Sequence, residues 1–299
     1  MKQQSLSLSA WITLSLLAII WGGSFLAYSL ILREVPIFTM VANRVLWASL
    51  ILWVIIFALR IPLPKLKQCG PLFVMGILNN VIPFSMIAWG QTHIESGLAS
   101  ILNGTTAIFT FVLAAVLFND ERLSRKKGLG VAIAFIGVCI VIGLEAMRNF
   151  NIRSLAQLSL IIACISYASA AVWARANIKG IHPIMAATGM LSSASIIMVP
   201  LALFIDGSPN YNFSSTTLGA MAFLSFPATA IAYLLYYRGL RQAGSANLSL
   251  VTLLVPPMAV IWGALVLGER LHSSAYIGFV LIALGMVIID GRLLKREKR

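Results

Sequence analysis

The sequence predicts an all-α membrane protein of ten transmembrane helices, arranged as two inverted repeats of five. Three observations predict it. Hydrophobic residues make up 60% of the 299-residue chain and charged residues only 10%, with a mean hydropathy of +0.93, which leaves too little polar surface to cover a soluble globule. The apolar stretches are continuous and about 20 residues long, enough for a helix to cross a hydrocarbon core roughly 30 Å thick; they do not alternate as barrel strands do. Finally, two long segments closed by Glu-Arg-Leu repeat in the two halves.

Taken in order, the first stretch (11–31) belongs to an uncharged run from Ser5 to Leu32. That run exceeds the roughly 7 to 15 apolar residues of a signal peptide, so it is expected to stay as a helix. Pro36 opens the second (37–59), which carries Arg44 in its interior, and the third (71–90) places Asn79 and Asn80 ahead of Pro83. The fourth (96–118) bears Ser100, Asn103, Thr106 and Thr110 and ends in Asn-Asp-Glu-Arg-Leu at 119–123. A glycine-containing fifth (128–147) closes the first half.

The sixth (155–176) carries Tyr167 and Trp173, and the seventh (183–205) opens on Pro183 as the second opens on Pro36. Tyr233, Tyr236 and Tyr237 lie on the eighth (216–237). In the ninth (244–267), Asn247 and Ser249 precede Pro256 and Pro257, a pair expected to kink or interrupt the helix, and the span ends in Gly-Glu-Arg-Leu at 268–271. The tenth (274–291) leads into a basic tail, 292–299. Counted from each Glu, Gly130 and Gly137 of the fifth span match Gly278 and Gly285 of the tenth, a spacing that fits close helix packing.

Five spans per unit is an odd number, so the second unit is expected to enter the membrane from the opposite side. The net charge of +13 fits this arrangement. With the N-terminus in the cytoplasm, seventeen of the 22 Lys and Arg residues fall on the inner side, Arg33, Arg148, Arg153 and Arg270 fall outside, and Arg44 lies within a span. Such a bias sets both termini in the cytoplasm and accounts for the basic character without nucleic acid. Cys69, Cys139 and Cys164 form no metal-binding spacing, the three histidines are scattered, and no inter-span segment is long enough for a catalytic domain. An enzyme, a metal and a cofactor are therefore not expected.

The chain resembles the drug/metabolite transporter superfamily, specifically its ten-helix EamA type. The likeness rests on Ala-Ile-Ile-Trp-Gly-Gly-Ser-Phe at 18–25, on the span-ending Glu-Arg-Leu followed by a Gly-rich helix in both halves, and on Leu-Val-Pro-Pro-Met-Ala-Val-Ile-Trp-Gly from 254. Two EamA-like units cover about residues 12–143 and 157–291. The resemblance implies a cytoplasmic-membrane carrier with a central cavity, related to proteins that move amino acids or other small metabolites, often outward. One departure is plain: the first half has Ala107 and Ile108 where the second has Pro256 and Pro257.

Arg44 is the only cation deep in a span, where a charge costs on the order of 3 kcal/mol by insertion scales. Two readings stay open for it, an anion partner such as a substrate carboxylate, or a structural role at helix carbonyls or the interface. No Asp or Glu lies mid-span, which argues against a proton relay through a buried carboxylate and against the kind of cationic-drug pump that uses one. The Asn103 and Thr106 stripe, Asn79, Asn80 and Asn247 are expected to line a cavity. Trp21, Ser24 and Tyr28 share a face of the first helix. Trp21 and Tyr167 are expected to bound the apolar part of a substrate, with Tyr233 close by, whereas Trp11, Tyr236 and Tyr237 fit interfacial belts. Pro83, Pro256 and Pro257 are the candidate hinges.

These readings combine into a secondary transporter of small organic metabolites, amino acids first, in a bacterial inner membrane. Efflux of drugs or toxic compounds is the alternative. Its partners are the solute and the lipid bilayer; oligomeric state is not legible.

Overall fold

The structure is a computed structural model describing residues 8–117, 125–142, 152–208, 211–236, 238–239 and 251–290. Among the described residues it is helical without strands. The long elements are α1 (Leu8–Ile31), α2 (Ile37–Ala58), α8 (Ile152–Asn177) and α9 (Pro183–Ile205). The third span is composite, with α3 (Leu66–Gly76), a π-helical segment Ile77–Val81 and α4 (Ile82–Gln91). The fourth consists of α5 (Ser96–Asn103) and α6 (Thr106–Leu117), and α7 is Arg125–Ile142. In the second half, α10 (Ser215–Ser225) runs into a π-helical segment Phe226–Ile231, α11 (Val251–Trp262) into another at Gly263–Leu267, and α12 is Ser273–Asp290.

Among the described residues, seven segments are long and apolar enough to cross a membrane: Trp11–Ile31, Ile37–Ala58, Leu66–Gln91, Ser96–Leu117, Arg153–Asn177, Pro183–Ile205 and Ser215–Tyr236. Three shorter apolar helices accompany them: Gly128–Ile140, Leu254–Leu267 and Ser273–Gly285. Large apolar side chains such as Val54, Phe57, Phe204 and Leu265 stay exposed, as they must where lipid replaces water as the surrounding medium. This is a multi-pass membrane protein.

The packing partners of the two halves correspond. α2 packs on α9, and α7 on α12. α1 packs on α10 and α11, while α8 packs on α4 and α6. Exchanging each span with the one five places along leaves this list unchanged. Glycines allow the closest approaches: a Cβ on Gly285 would lie 2.5 Å from the Gly130 carbonyl, and one on Gly137 would lie 2.7 Å from that of Gly278.

Three features depart from the sequence reading. Pro256 and Pro257 do not interrupt α11, which is continuous through them; irregularity begins only at Gly263. Gly104, in the break between α5 and α6, lies against the Pro256 ring, so the proline fills a gap instead of opening one. The fourth span, expected to be continuous, divides at Gly104–Thr105. Finally, the third and eighth spans carry π-helical segments at corresponding places, each with a proline in or just after it, Pro83 and Pro227. A proline lacks the N–H that an α-turn requires, and the wider turn accommodates its ring. Asn247, Ser249, Tyr237, the first Glu-Arg-Leu and the tail 292–299 lie outside the described residues.

Candidate functional site

Arg44 sits seven residues into α2, about 10 Å from the helix start at 1.5 Å per residue. It is 7% exposed. Nε donates to Thr229 Oγ1 at 2.9 Å and Nη1 to the Tyr28 hydroxyl at 2.7 Å. One face of the guanidinium is covered by Phe84, whose ring centroid lies 3.7 Å from the guanidinium carbon, and the Tyr28 centroid is at 5.5 Å. These contacts bring together α1, α2, α4 and the π-helical segment of the eighth span.

Thr229 explains the local backbone. Its hydroxyl donates to the Leu224 carbonyl five residues earlier, at 2.8 Å, while accepting from Arg44. The hydroxyl thus joins a carbonyl of the wide turn to the Arg44 guanidinium. No carboxylate pairs with Arg44 among the described residues, and Nη2 has no hydrogen-bond partner there. A guanidinium keeps its charge inside proteins, so this is a buried cation held by neutral groups.

A second polar group adjoins it. Asn79 Nδ2 donates to the Tyr233 hydroxyl at 3.1 Å and contacts Met190 Sδ at 3.6 Å. Tyr233 in turn donates to Asn80 Oδ1 at 3.5 Å. Asn80 is fully buried and its Nδ2 is without an acceptor. Tyr167 lies within electrostatic reach of Arg44, Tyr28, Tyr233 and Cys164. Cys164 Sγ donates to the Leu102 carbonyl at 3.4 Å, and Ser166 Oγ to the Leu78 carbonyl at 2.7 Å, so α8 holds residues 78–80 and 102–103 at one level. Asn103 Oδ1 is buried there without a donor.

The remaining sequence-predicted residues behave otherwise. Ser24 donates to Ile20 O of its own helix at 3.4 Å, and Thr106 to Asn103 O at 2.8 Å. Ser100 and Thr110 likewise donate to Gly97 O and Thr106 O. These hydroxyls are taken up by nearby carbonyls, the ordinary behaviour of Ser and Thr in helices. Trp21 is half-buried with its ring centroid 6.1 Å from that of Tyr236, which therefore turns inward instead of joining an interfacial belt. Pro83 lines the centre beside Phe84 as part of the buried stretch 83–85. The structure thus brings together Arg44, Asn79, Asn80, Asn103, Tyr167 and Tyr233. It adds Tyr28, Phe84 and Thr229, which sequence reasoning did not assign. For Tyr28 a signal existed in the Trp21, Ser24, Tyr28 face; for Thr229 the nearby Pro227 marked an irregular turn.

At one end of the helices a cavity of about 340 Å³ is lined by Ser29, Arg33, Gln91, His93, Arg153 and Glu269, among others. Glu269, from the second Glu-Arg-Leu, caps α5: Ser96 N and Gly97 N donate to its carboxylate at 2.9 and 3.1 Å, and Ser96 Oγ at 2.6 Å.

Comparison with known proteins matches this arrangement. A probable amino-acid metabolite efflux pump of Salmonella typhimurium is 28% identical over 299 residues, covering 95% of this chain and 96% of that one. The protein of the same description in Escherichia coli is 25% identical over 281 residues, with 91% and 92% covered. An uncharacterized transporter of Archaeoglobus fulgidus is 26% identical over 280 residues, with 93% and 98% covered. One solved crystal structure shares the fold with a TM-score of 0.67 at 16% identity, over 97% of this chain and 99% of that one. The EamA-like transporter family matches residues 8–143 and 154–290, nearly the whole sequence in two copies, and the chain belongs to that family.

Proposed function

We propose that this protein is a secondary transporter that exports or exchanges small organic metabolites, amino acids first, across the bacterial cytoplasmic membrane by alternating access. Two five-helix units, 12–143 and 157–291, stand inverted in the bilayer, so that ten helices cross it and both termini are cytoplasmic. The correspondence of packing partners between the halves supports this reading, as do the descriptions of the enterobacterial relatives. Inverted repeats place a site at their seam and expose it to each side in turn by rocking one element against another.

The observation that carries the proposal is the guanidinium of Arg44, buried at the seam with a donor to spare and only hydroxyls for partners. A carboxylate accepts charge-assisted bonds about twice as strong as those to neutral groups. An entering substrate carboxylate therefore displaces Tyr28 or Thr229 from Arg44, and Phe84, Tyr167 and Trp21 contact its apolar part. The centre is closely packed, with Tyr28 2% exposed, so entry requires the helices to separate. The π-helical segments beside Pro83 and Pro227 are the places where the third and eighth spans bend.

The test is efflux of a labelled panel of amino acids and related small metabolites, including N-acyl amino acids and hydroxy acids, from vesicles reconstituted with the purified protein. Export of at least one member above protein-free vesicles, lost in Arg44→Ala, is expected. Absence of flux for every member would remove the transport reading. Reporter fusions at positions 125 and 273 separately test inversion, and a common side for the two would refute it.

A further inference from the structure

Charge counting at the centre narrows the substrate. The chain has nine acidic residues, and the sequence places none of them mid-span. Among the described ones, Asp206 accepts from Thr39 N and Oγ1 at 2.7 and 2.8 Å at the helix ends, Glu34 accepts from Ser214 N, and Glu269 caps α5. The centre therefore carries one positive charge with no carboxylate among the described residues to cancel it. A zwitterion leaves that balance at +1. A monoanion brings it to zero, which is the state that a medium of low dielectric favours.

The unpaired polar atoms point the same way. Two are donors: Asn80 Nδ2, buried without an acceptor, and Arg44 Nη2, which makes no hydrogen bond to the described residues; a carboxylate has two oxygens to accept from them. Of the three unpaired buried acceptors among the described residues, Gln91 Oε1 and Gln157 Oε1 lie seven and ten residues along their helices from Phe84 and Tyr167, and Asn103 Oδ1 is the one at the level of Asn80, a neutral carboxamide oxygen matched to a neutral N–H or O–H rather than to an ammonium.

We infer that the site takes its substrate as a net monoanion, a monocarboxylate bearing a neutral donor such as an N-acyl amino acid or a hydroxy acid. This rests on the transport reading above and deepens it. It has an energetic consequence. Export of a monoanion moves one negative charge outward, so an inside-negative membrane potential drives the cycle without any buried carboxylate to relay protons. The equilibrium distribution shifts about tenfold for every ~60 mV.

The test uses matched probes: L-leucine, L-phenylalanine and L-serine, each beside its N-acetyl derivative, together with lactate. Binding is read by thermal shift of the detergent-purified protein, and flux by efflux from vesicles clamped at zero and at about 120 mV inside-negative with potassium and valinomycin. At least one monoanion is expected to raise the melting temperature of the parent but not of Arg44→Gln. Its vesicle distribution should shift outward by about 100-fold between the two potentials. Failure of every monoanion to give Arg44-dependent binding, or stronger Arg44-dependent binding by the parent zwitterions, overturns the inference. A distribution indifferent to voltage overturns its energetic part. Arg44-dependent binding of a monoanion with no flux of any probe would instead sink the transport reading and leave the charge assignment standing.

Discussion

Two charges in this molecule are treated in opposite ways. Glu269 is half-buried at a helix terminus and answered by three donors, two of them the backbone N–H groups that an α-helix leaves unsatisfied at its start. Arg44 lies deeper, meets only two hydroxyls and an aromatic face, and keeps a terminal nitrogen without a partner. A charge whose bonds are all made holds two elements together. One that is left partly unanswered in a low-dielectric centre is a site for something that arrives later. The comparison predicts that removing the first harms the fold and removing the second harms transport.

Its sharpest break is Arg44→Ala. Efflux should fall about 100-fold or more, the equivalent of losing one or two charged hydrogen bonds to the moving substrate at 1.4 kcal/mol per tenfold. Melting temperature should hold or rise, because a partly paired buried charge is lost. A variant that fails to fold would assign Arg44 to structure and reverse the comparison.

Glu269→Gln should do the converse. The neutral amide keeps the shape but weakens the bonds to Ser96 and Gly97 and the favourable interaction with the start of α5. A loss of about 1–3 kcal/mol in stability is expected, with KM unchanged in the protein that remains folded. An unaltered unfolding curve would show that the cap contributes nothing.

Thr229→Val is a smaller perturbation and sharpens how site and hinge are joined. It removes a competitor for Arg44 and the bond that ties the wide turn at Leu224. KM and kcat should both drop several-fold, one because the guanidinium is freer to bind carboxylate and the other because binding no longer reports to the eighth span. A purely structural threonine would lower stability and leave both constants of the folded protein unchanged.

The fold was more legible in the sequence than the site because periodicity and run length report on lipid and core, and these decide where helices form. Arg44 stood out because a lone cation in an apolar run is conspicuous. Its partners did not: Tyr28, Phe84 and Thr229 come from three other elements, and no local pattern records which of them meet. The stripe from Ser100 to Thr110 was informative at Asn103 but not at its hydroxyls, for a related reason. Helical spacing places hydroxyls on one face but does not say whether they look outward or, as here, donate to backbone carbonyls close by in the chain. The prolines divide: a wide turn does lie beside Pro83, whereas α11 continues through Pro256 and Pro257 and widens only from Gly263.

The smallest expected effect is read by pH and concerns another carboxylate answered at a helix end, Glu34. Glu34, at the end of α1, accepts from Ser214 N at 2.8 Å, and Ser214 caps α10 by accepting from Thr217 N at 3.2 Å. The backbone bond from Ser214 is the main cause holding the Glu34 carboxyl below its ordinary value of 4.5. Because the folded chain binds this proton less readily than the unfolded one, the contribution is fully present at neutral pH and declines as pH falls through the ordinary glutamate range and on through the lowered folded value. Glu34 is exposed, so the effect is slight. Glu34→Gln should melt marginally lower than the parent at pH 7 and converge with it in acid. Parallel curves for Glu34→Gln and parent at every pH would show that the tie between the first and eighth spans carries no weight.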